Sequence, residues 1–184
     1  QIDRATLVGH SFGSFVARQA AIAQPQRVAA LALIGTGFAA LSAARRLRQL
    51  DKQVGITVIG PRPEFVFLPS LIWLPSGKRH ADGLRVPLAD FFRRERVRWH
   101  AGNVLQVLDG GRRIATDHGE LTNDYLVVAT GGRYLRKLPG IEHSFLPCGG
   151  VEVAAGIRDR LAELEGGTLA FGFAGNPQEP SAMR

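Results

Sequence analysis

The stretch LALIGTGFAALSAARRL, residues 31–47, decides the fold. It begins as an uncharged apolar run, turns at Gly35-Thr36-Gly37, and continues with alanine and leucine at helical spacing. The turn fits the pattern G-x-G-x-x-[G/A] that joins a buried strand to a helix in dinucleotide-binding folds. The first glycine permits the tight turn, Gly37 lets the backbone approach a pyrophosphate, and Ala40 keeps the helix close to the strand. The free N–H groups at the start of the helix then face the phosphates.

Strands and helices alternate on both sides of this stretch. Residues 5–9, 27–35 and 56–60 are short apolar runs typical of buried strands. Residues 15–23 and 38–50 have helical spacing, and the arginines of the second helix are expected to face solvent. The order strand, helix, strand, helix, strand predicts right-handed parallel units of an α/β fold.

The alternation of predicted strands and helices stops after Pro63. Residues 63–87 are rich in proline and aromatic side chains and predict an ordered excursion over the edge of the sheet. A helix over 88–96 leads into a strand over 97–100. An antiparallel β-meander follows over 103–123, in which the glycine pair at 110 and 111 is a hairpin signal.

Three more elements follow the meander. DYLVVATGG, residues 124–132, is typical of a buried strand that ends in a glycine pair, and residues 151–165 predict an amphipathic helix. TLAFGFAGN, residues 168–176, begins one more predicted strand. The predicted architecture is a Rossmann-like parallel sheet with an antiparallel β-meander.

Composition and charge narrow the classes of partner. The chain has 184 residues, of which 45% are hydrophobic, and a formal net charge of +7. The basic residues are not interleaved with aromatics in a stripe and no nucleic-acid motif is present, so nucleic acid is not an expected partner. No apolar run approaches the roughly 18 residues of a membrane span. The single cysteine, Cys148, excludes an intrachain disulfide and fits a reducing, cytoplasmic compartment.

One usual part of the dinucleotide motif is missing. The second strand of such folds normally ends in Asp or Glu, about 20 residues past the glycines, and this side chain holds the adenosine ribose. Here ITVIG ends in Gly60 and is followed by Pro61-Arg62-Pro63-Glu64. Glu64 lies past the predicted strand end, whereas Arg62 offers a cation to a phosphate or a surface for adenine. A solvated loop is the alternative for both.

Residues 31–184 resemble the flavin-binding half of the FAD-dependent pyridine nucleotide–disulfide oxidoreductases. Within this superfamily they are most similar to the sulfide:quinone oxidoreductase and flavocytochrome c sulfide dehydrogenase group, with type II NADH dehydrogenases as close relatives. The resemblance is carried by IGTGFAALSAARRL, ITVIGPRPEFVFLPSLIWLPSGK, the meander from 103 to 121 and DYLVVATGG. It implies FAD as the cofactor. For full-length relatives it also implies quinone as a partner and peripheral association with the inner face of a membrane.

The resemblance also implies which residues meet the cofactor. The pyrophosphate falls on the glycine turn, a Pro-Ser pair lies close to the flavin, one backbone position of the meander meets adenine, and the Ala-Thr-Gly segment packs against the cofactor. The predicted cofactor-binding residues are Gly35, Gly37, Phe38, Ala40, Arg62, Pro69, Ser70, Val104, Ala129, Thr130 and Gly131.

Sulfide-oxidising members of this superfamily use a pair of redox cysteines beside the flavin. Cys148 lies near the place of the first, and residues 174–182, where the second should follow, contain none. A lone cysteine does not complete that chemistry, and an ordinary, partly buried cysteine is the alternative. The resemblance therefore implies an FAD-binding fragment that is incomplete as an oxidoreductase, without the second redox cysteine or the second nucleotide domain.

A second motif indicates another class of protein. GHSFG, residues 9–13, fits the nucleophile elbow G-x-S-x-G, and residues 1–36 resemble an α/β-hydrolase around it. In this alternative the chain is an esterase, Ser11 is its catalytic nucleophile, and the N–H of Phe12 lies in the oxyanion hole. A triad also needs a later acid and a later histidine, and every later histidine falls in the flavoprotein-like sequence.

The two resemblances compete for the strand at 28–34. The hydrolase-like part places the strand at 5–9 beside it, whereas the flavoprotein-like part places it between the strands at 56–60 and 124–128. Because a strand has two edges, we expect the flavin-domain strands to pair with it and residues 1–27 to lie at the periphery. Displacement of the 124–128 strand by residues 5–9 is the alternative, and it would dismantle the cofactor site.

A join at LIGTG indicates a chimera of two gene fragments, and a non-catalytic remnant is a third reading beside the flavoprotein and the esterase. The predicted segments are a hydrolase-like βα segment over 1–30, an FAD-binding domain over 31–165 and the start of a second dinucleotide-binding domain over 166–184.

Overall fold

The computed structural model describes residues 7–8, 30–132, 139–170 and 172. Its described residues include five parallel strands: Leu7–Val8 (β1), Ala30–Ile34 (β2), Gly55–Gly60 (β3), Val97–Ala101 (β6) and Tyr125–Val128 (β10). They form one sheet in the order β1-β10-β2-β3-β6. The predicted α/β fold with a Rossmann-like parallel sheet is confirmed.

The central position of β2 settles which strands pair with it. Leu33 of β2 is opposite Val58 of β3 on one side and Val127 of β10 on the other. The short strand β1 pairs with the outer edge of β10, with Leu7 opposite Val127. The prediction that the flavin-domain strands take both edges of β2 is therefore confirmed, and the alternative in which residues 5–9 displace β10 is wrong.

The sheet is covered on both faces. Leu33 of β2 packs with Ala44 of helix α1, which runs over Phe38–Leu50. On the opposite face Ile34 packs with Ile114 of the meander. Successive residues of a strand point to opposite faces, so a strand covered on both sides is apolar at every position. This explains the uncharged run that precedes the glycine turn.

The predicted β-meander is present beneath one face of the sheet. Its strands are Val104–Leu108 (β7), Arg113–Thr116 (β8) and Gly119–Thr122 (β9), and they pair in antiparallel order. A 3-10 turn over Asp109–Gly111 joins the first two strands, with φ of 51° at Asp109 and 59° at Gly110. Glycine tolerates this left-handed backbone, so the glycine pair was a sound hairpin signal.

The excursion between β3 and β6 is ordered, as predicted, and contains a hairpin that the sequence did not reveal. Glu64–Val66 (β4) pairs with Arg85–Pro87 (β5), and a 3-10 turn over Leu68–Trp73 lies between them. The short helix α2, Ala89–Arg94, leads into β6. The amphipathic helix α3, Val151–Ala162, packs on this excursion through Val151 and Ala154, against Leu71, Leu74 and Leu84.

Arg48 corrects the prediction that the arginines of α1 face solvent. Its side chain is 7% exposed, and its guanidinium donates to the backbone carbonyls of Glu95 at 2.9 Å, Arg96 at 3.1 Å and Asp51 at 3.2 Å. Residue 48 lies one turn after Ala44, at the edge of the buried face of the helix. The spacing of apolar residues in the sequence does not predict that Arg48 is buried, because two of the carbonyls that it binds belong to the distant turn at residues 95–96.

The strand predicted from Thr168 is not formed over residues 168–170, and the rest of that predicted strand, apart from Gly172, lies outside the described residues. A strand requires a hydrogen-bonded neighbour, and none of the described strands pairs with this segment. Across the described ranges, no helix is long and apolar enough to span a lipid bilayer.

Candidate functional site

A cavity of about 880 Å³ opens where the central strands of the sheet end. Backbone hydrogen bonds align these ends, since Gly35 N–H donates to the Ile59 carbonyl and Ala129 N–H to the Ile34 carbonyl, each at 2.9 Å. The chain leaves β2 toward β3 on one side and later returns to β10 on the other. Open α/β sheets bind ligands at such a switch point, outside the carboxyl ends of the strands.

Seven of the eleven predicted cofactor residues line this cavity: Gly35, Gly37, Phe38, Val104, Ala129, Thr130 and Gly131. Ala40 is fully buried between α1 and the sheet instead. Pro69 and Ser70 lie in the 3-10 turn that begins at Leu68, which does line the cavity. Arg62 follows the lining residue Pro61, and its side chain is 64% exposed.

Gly35 and Gly37 have different roles in the turn. Gly35 has φ of +116°, and a Cβ at this position would lie 2.4 Å from the carbonyl oxygen of Ala129. This contact excludes any side chain and brings the turn against the Ala129-Thr130-Gly131 segment. Gly37 has φ of −81°, and a Cβ there would meet nothing within 4 Å. The first glycine therefore shapes the turn, and the second leaves room in front of it.

The N-terminus of α1 faces the cavity with free donors. The first hydrogen bond within the helix is from Leu41 N–H to the Gly37 carbonyl at 3.2 Å, so the N–H groups of Phe38, Ala39 and Ala40 precede it. No side chain of the described residues caps this end, and its first turn contains no acid. Every described side chain that lines the cavity is uncharged. Backbone N–H groups and the positive end of the helix dipole therefore provide the attraction for an anion.

Three phenylalanines cluster beside the cavity, and two of them, Phe38 and Phe65, line it. The ring of Phe38 lies edge-on to Phe65 and Phe67, with centroid distances of 4.8 and 5.8 Å. Phe38 is 53% exposed and Phe67 is 40% exposed. A flat apolar group entering the cavity would meet these aromatic edges.

Asp117 fixes the wall of the cavity that the meander contributes. Its Oδ1 accepts from Asn103 N–H at 2.7 Å, and its Oδ2 accepts from Asn103 Nδ2 at 2.8 Å. The side-chain hydrogen bond from Asn103, followed by those from His118 and the Asn103 backbone, lowers the pKa of Asp117 to about 2. Asn103 and its neighbours Gly102 and Val104 line the cavity, so an ionised carboxylate holds this wall.

The dependence of folding stability on acid pH should show the contribution of the Asp117 carboxylate. A carboxyl whose pKa is about 2 in the folded chain and about 3.9 in the unfolded chain stabilises the fold above pH ~4. That contribution is lost as the pH falls from ~4 toward 2. We expect Asp117→Asn to lower the Tm at neutral pH and to flatten the fall of Tm between about pH 4 and pH 2, measured by circular dichroism melts.

Glu120 provides the matched control for this titration. It lies on the same hairpin, is exposed, and pairs with Arg113 at 3.3 Å. Glu120→Gln removes a carboxylate from the same hairpin but leaves the hydrogen bonds of Asp117 in place, so the difference between the two variants isolates the contribution of Asp117. Parallel acid profiles for the parent and Asp117→Asn would contradict the assignment.

Of the two predicted catalytic residues, only Cys148 is described, and it does not join the site. Cys148 is exposed in the 3-10 turn Pro147–Gly149 and is not among the described residues that line the cavity. Ser11 and the rest of the nucleophile-elbow motif lie outside the described residues. Within the described ranges, no group of three or more His, Cys, Asp or Glu side chains is arranged to hold a metal ion.

Several lining residues were missed from the sequence. Ile59, Gly60 and Pro61 line the cavity at the end of β3, and Gly102 and Asn103 do so at the end of β6. Each lies at or just after the carboxyl end of a strand of the parallel sheet. The rule that ligands of open α/β sheets meet the carboxyl ends of adjacent strands would have found them.

The parallel sheet, the glycine turn, the uncapped helix start and the cavity at the switch point define a dinucleotide-binding α/β protein. Residues 29–165 match the model of the pyridine nucleotide-disulphide oxidoreductase family, and the chain belongs to this family. The predicted superfamily is thus confirmed. The match begins at residue 29, so the hydrolase resemblance of the preceding segment stays a prediction.

Similar proteins are known from sequence and from structure. The sulfide-quinone reductase of Aquifex aeolicus (strain VF5) is 29% identical over 133 residues, which cover 72% of this chain and 31% of that protein. The crystal structure of the sulfide:quinone oxidoreductase from Aquifex aeolicus aligns with a TM-score of 0.67 and 28% identity, covering 73% of this chain and 32% of that chain.

NDH2 from Plasmodium falciparum, solved in complex with NADH, shares the fold with a TM-score of 0.61 and 19% identity, covering 77% of this chain and 31% of that chain. The chain therefore spans about a third of the length of the relatives that it matches.

Proposed function

We propose that this chain is the FAD-binding part of a flavoprotein oxidoreductase of the sulfide:quinone or NADH:quinone type. The observation that carries the proposal is the cavity at the switch point, where the glycine turn, the start of α1 and residues 129–131 converge. Family membership and the similarity to sulfide:quinone oxidoreductase support it. Residues 31–165 are the FAD-binding unit in this proposal, and residues 166–184 begin a second nucleotide-binding domain.

The cavity has the features that a dinucleotide requires. Gly37 leaves the front of the turn open, and the free N–H groups after it point toward the space that a pyrophosphate would occupy. Gly35 cannot carry a side chain, so the turn and Ala129 form a closely packed floor. The absence of charged side chains among the described lining residues fits an extended ligand that is mostly uncharged outside its phosphates.

In this proposal each wall of the cavity contacts a different part of FAD. Gly35, Gly37 and Phe38 hold the pyrophosphate, the backbone around Val104 meets the adenosine end, and residues 129–131 lie beside the flavin end. When bound, FAD supplies the chemistry of accepting two electrons and passing them on. The described residues bind and orient the cofactor, and Cys148 lies apart from them on the surface.

The whole protein's reaction extends the proposal beyond the residues of this chain. In this proposal the whole protein transfers electrons from sulfide or NADH to a quinone at a membrane surface, and the similarity to a sulfide-quinone reductase and to NADH-bound NDH2 supports it.

Titration of the purified chain with FAD tests the cofactor assignment. We expect retained visible flavin absorbance after gel filtration, quenched flavin fluorescence and saturable binding by calorimetry. A chain that unfolds cooperatively yet neither retains nor quenches flavin would overturn the proposal. A fluorophosphonate probe serves as the counter-test, since covalent labelling of Ser11 would favour the esterase reading instead.

A further inference from the structure

The adenosine end of the cavity is built without the usual acid. In dinucleotide folds an Asp or Glu at the end of the second strand hydrogen-bonds the ribose. Here that strand is β3, and its end carries Gly60 and Pro61, both of which line the cavity.

Neighbouring side chains also crowd any side chain at position 60. A Cβ on Gly60 would lie 3.0 Å from Cη2 of Trp99 and 3.4 Å from Cγ2 of Thr36. The ring of Trp99 is stacked on Phe92 with a centroid distance of 5.4 Å, so it cannot move aside freely. The next acid, Glu64, is bound by Arg85 at 2.9 Å.

The wall next to Gly60 comes from the loop between β6 and β7. Gly102 N–H donates to the Gly60 carbonyl at 2.9 Å, which places residues 102–104 directly beside the strand end where the ribose would lie. This loop has an unusual backbone, since Gly102 has φ of +152°. Glycine adopts this backbone readily but is also the most flexible residue, so hydrogen-bond partners from outside the loop favour one conformation.

Asp117 supplies those partners from the tip of the β8–β9 hairpin. It accepts two hydrogen bonds from Asn103, and its own N–H donates to the Asn103 carbonyl at 3.1 Å. His118 Nδ1 lies 2.8 Å from Oδ1 of the same carboxylate. A Cβ on Gly102 would lie 2.8 Å from that oxygen, so the carboxylate also packs against the loop backbone.

We infer that Asp117 is the positioning residue for the adenosine end of the cofactor, through the wall at residues 102–104, in a site where the strand-end acid is missing. The inference rests on the proposed function. It assigns recognition of adenosine to backbone groups of a loop that a carboxylate outside the cavity holds in place. Asp117 itself does not touch the ligand.

Ligands that contain different parts of FAD can distinguish a role of Asp117 in adenosine binding from a general effect on folding stability. FAD and ADP contain adenosine, whereas FMN contains the flavin and one phosphate without it. We expect Asp117→Ala to raise the Kd for FAD and ADP about tenfold, since two charge-assisted hydrogen bonds that order the wall are lost. The Kd for FMN should change by less than about twofold, because the glycine turn and residues 129–131 are untouched. Asp117→Asn, which keeps one acceptor, should recover part of the affinity for ADP.

A control variant on the same hairpin shows whether the change in affinity is specific to Asp117. Glu120→Ala on the same hairpin should leave all three affinities unchanged, and calorimetry is carried out well below the Tm of each variant. Unchanged FAD and ADP affinity in folded Asp117→Ala and Asp117→Asn, or equal weakening of FMN, would overturn the inference. A parent chain that binds neither FAD nor ADP would instead overturn the proposed function.

Discussion

Gly35→Ala is expected to lose FAD binding and a large part of its folding stability together. The native φ of +116° is strained for any residue with a side chain, and the new Cβ would lie 2.4 Å from the Ala129 carbonyl oxygen. Backbone strain and forced movement in a packed region each cost about 1–3 kcal/mol, so a loss of about 3–5 kcal/mol is expected. Chemical denaturation measures the free energy of unfolding, and flavin fluorescence quenching measures the remaining affinity.

Gly37→Ala is the matched substitution two residues along the same turn. Its backbone is in an ordinary region at φ of −81°, and its Cβ would meet nothing within 4 Å. The free energy of unfolding should therefore change by less than about 0.5–1 kcal/mol. The methyl group enters the space in front of the helix N-terminus, so the Kd for FAD should rise about tenfold or more. Tight FAD binding by Gly37→Ala, or a native Tm for Gly35→Ala, would contradict the roles given to these glycines.

The parts of the fold that the sequence predicted are those with local signals. The glycine turn, α1 and the meander each depend on residues within a few positions of one another, so spacing and turn chemistry were sufficient. The central place of β2 was expected from the resemblance to the flavin-binding family, together with the rule that a strand has only two edges. These elements bring seven of the predicted cofactor residues into one cavity.

The parts that escaped prediction depend on contacts between distant segments with no periodic signal. Asp117 binds Asn103 fourteen positions earlier, and both residues look like ordinary loop residues in the sequence. The β4–β5 hairpin pairs Glu64 with Pro87 across an irregular excursion whose prolines do not suggest a strand. Such contacts depend on where the folded sheet places each loop, and the local sequence of the loop does not determine that position.

Arg48 gives the second large effect, on stability alone. Arg48→Met keeps the apolar stem of the side chain but removes the donors that satisfy the carbonyls of Glu95, Arg96 and Asp51. Hydrogen bonds from a charged group to partly buried carbonyls contribute about 1.5–3 kcal/mol each, and water replaces some of them. We expect a loss of about 2–4 kcal/mol in the free energy of unfolding, measured by urea denaturation.

Arg45→Met on the same helix is the control, because Arg45 is exposed and its loss should change the free energy of unfolding by less than about 0.5 kcal/mol. Arg48 lies ten residues past the start of α1, about 15 Å from the glycine turn. Folded Arg48→Met should therefore bind FAD with parent affinity, whereas Gly37→Ala keeps its stability and loses affinity. If both substitutions lowered stability and affinity alike, the cavity and the core would be one cooperative unit, and binding could not be assigned to the glycine turn.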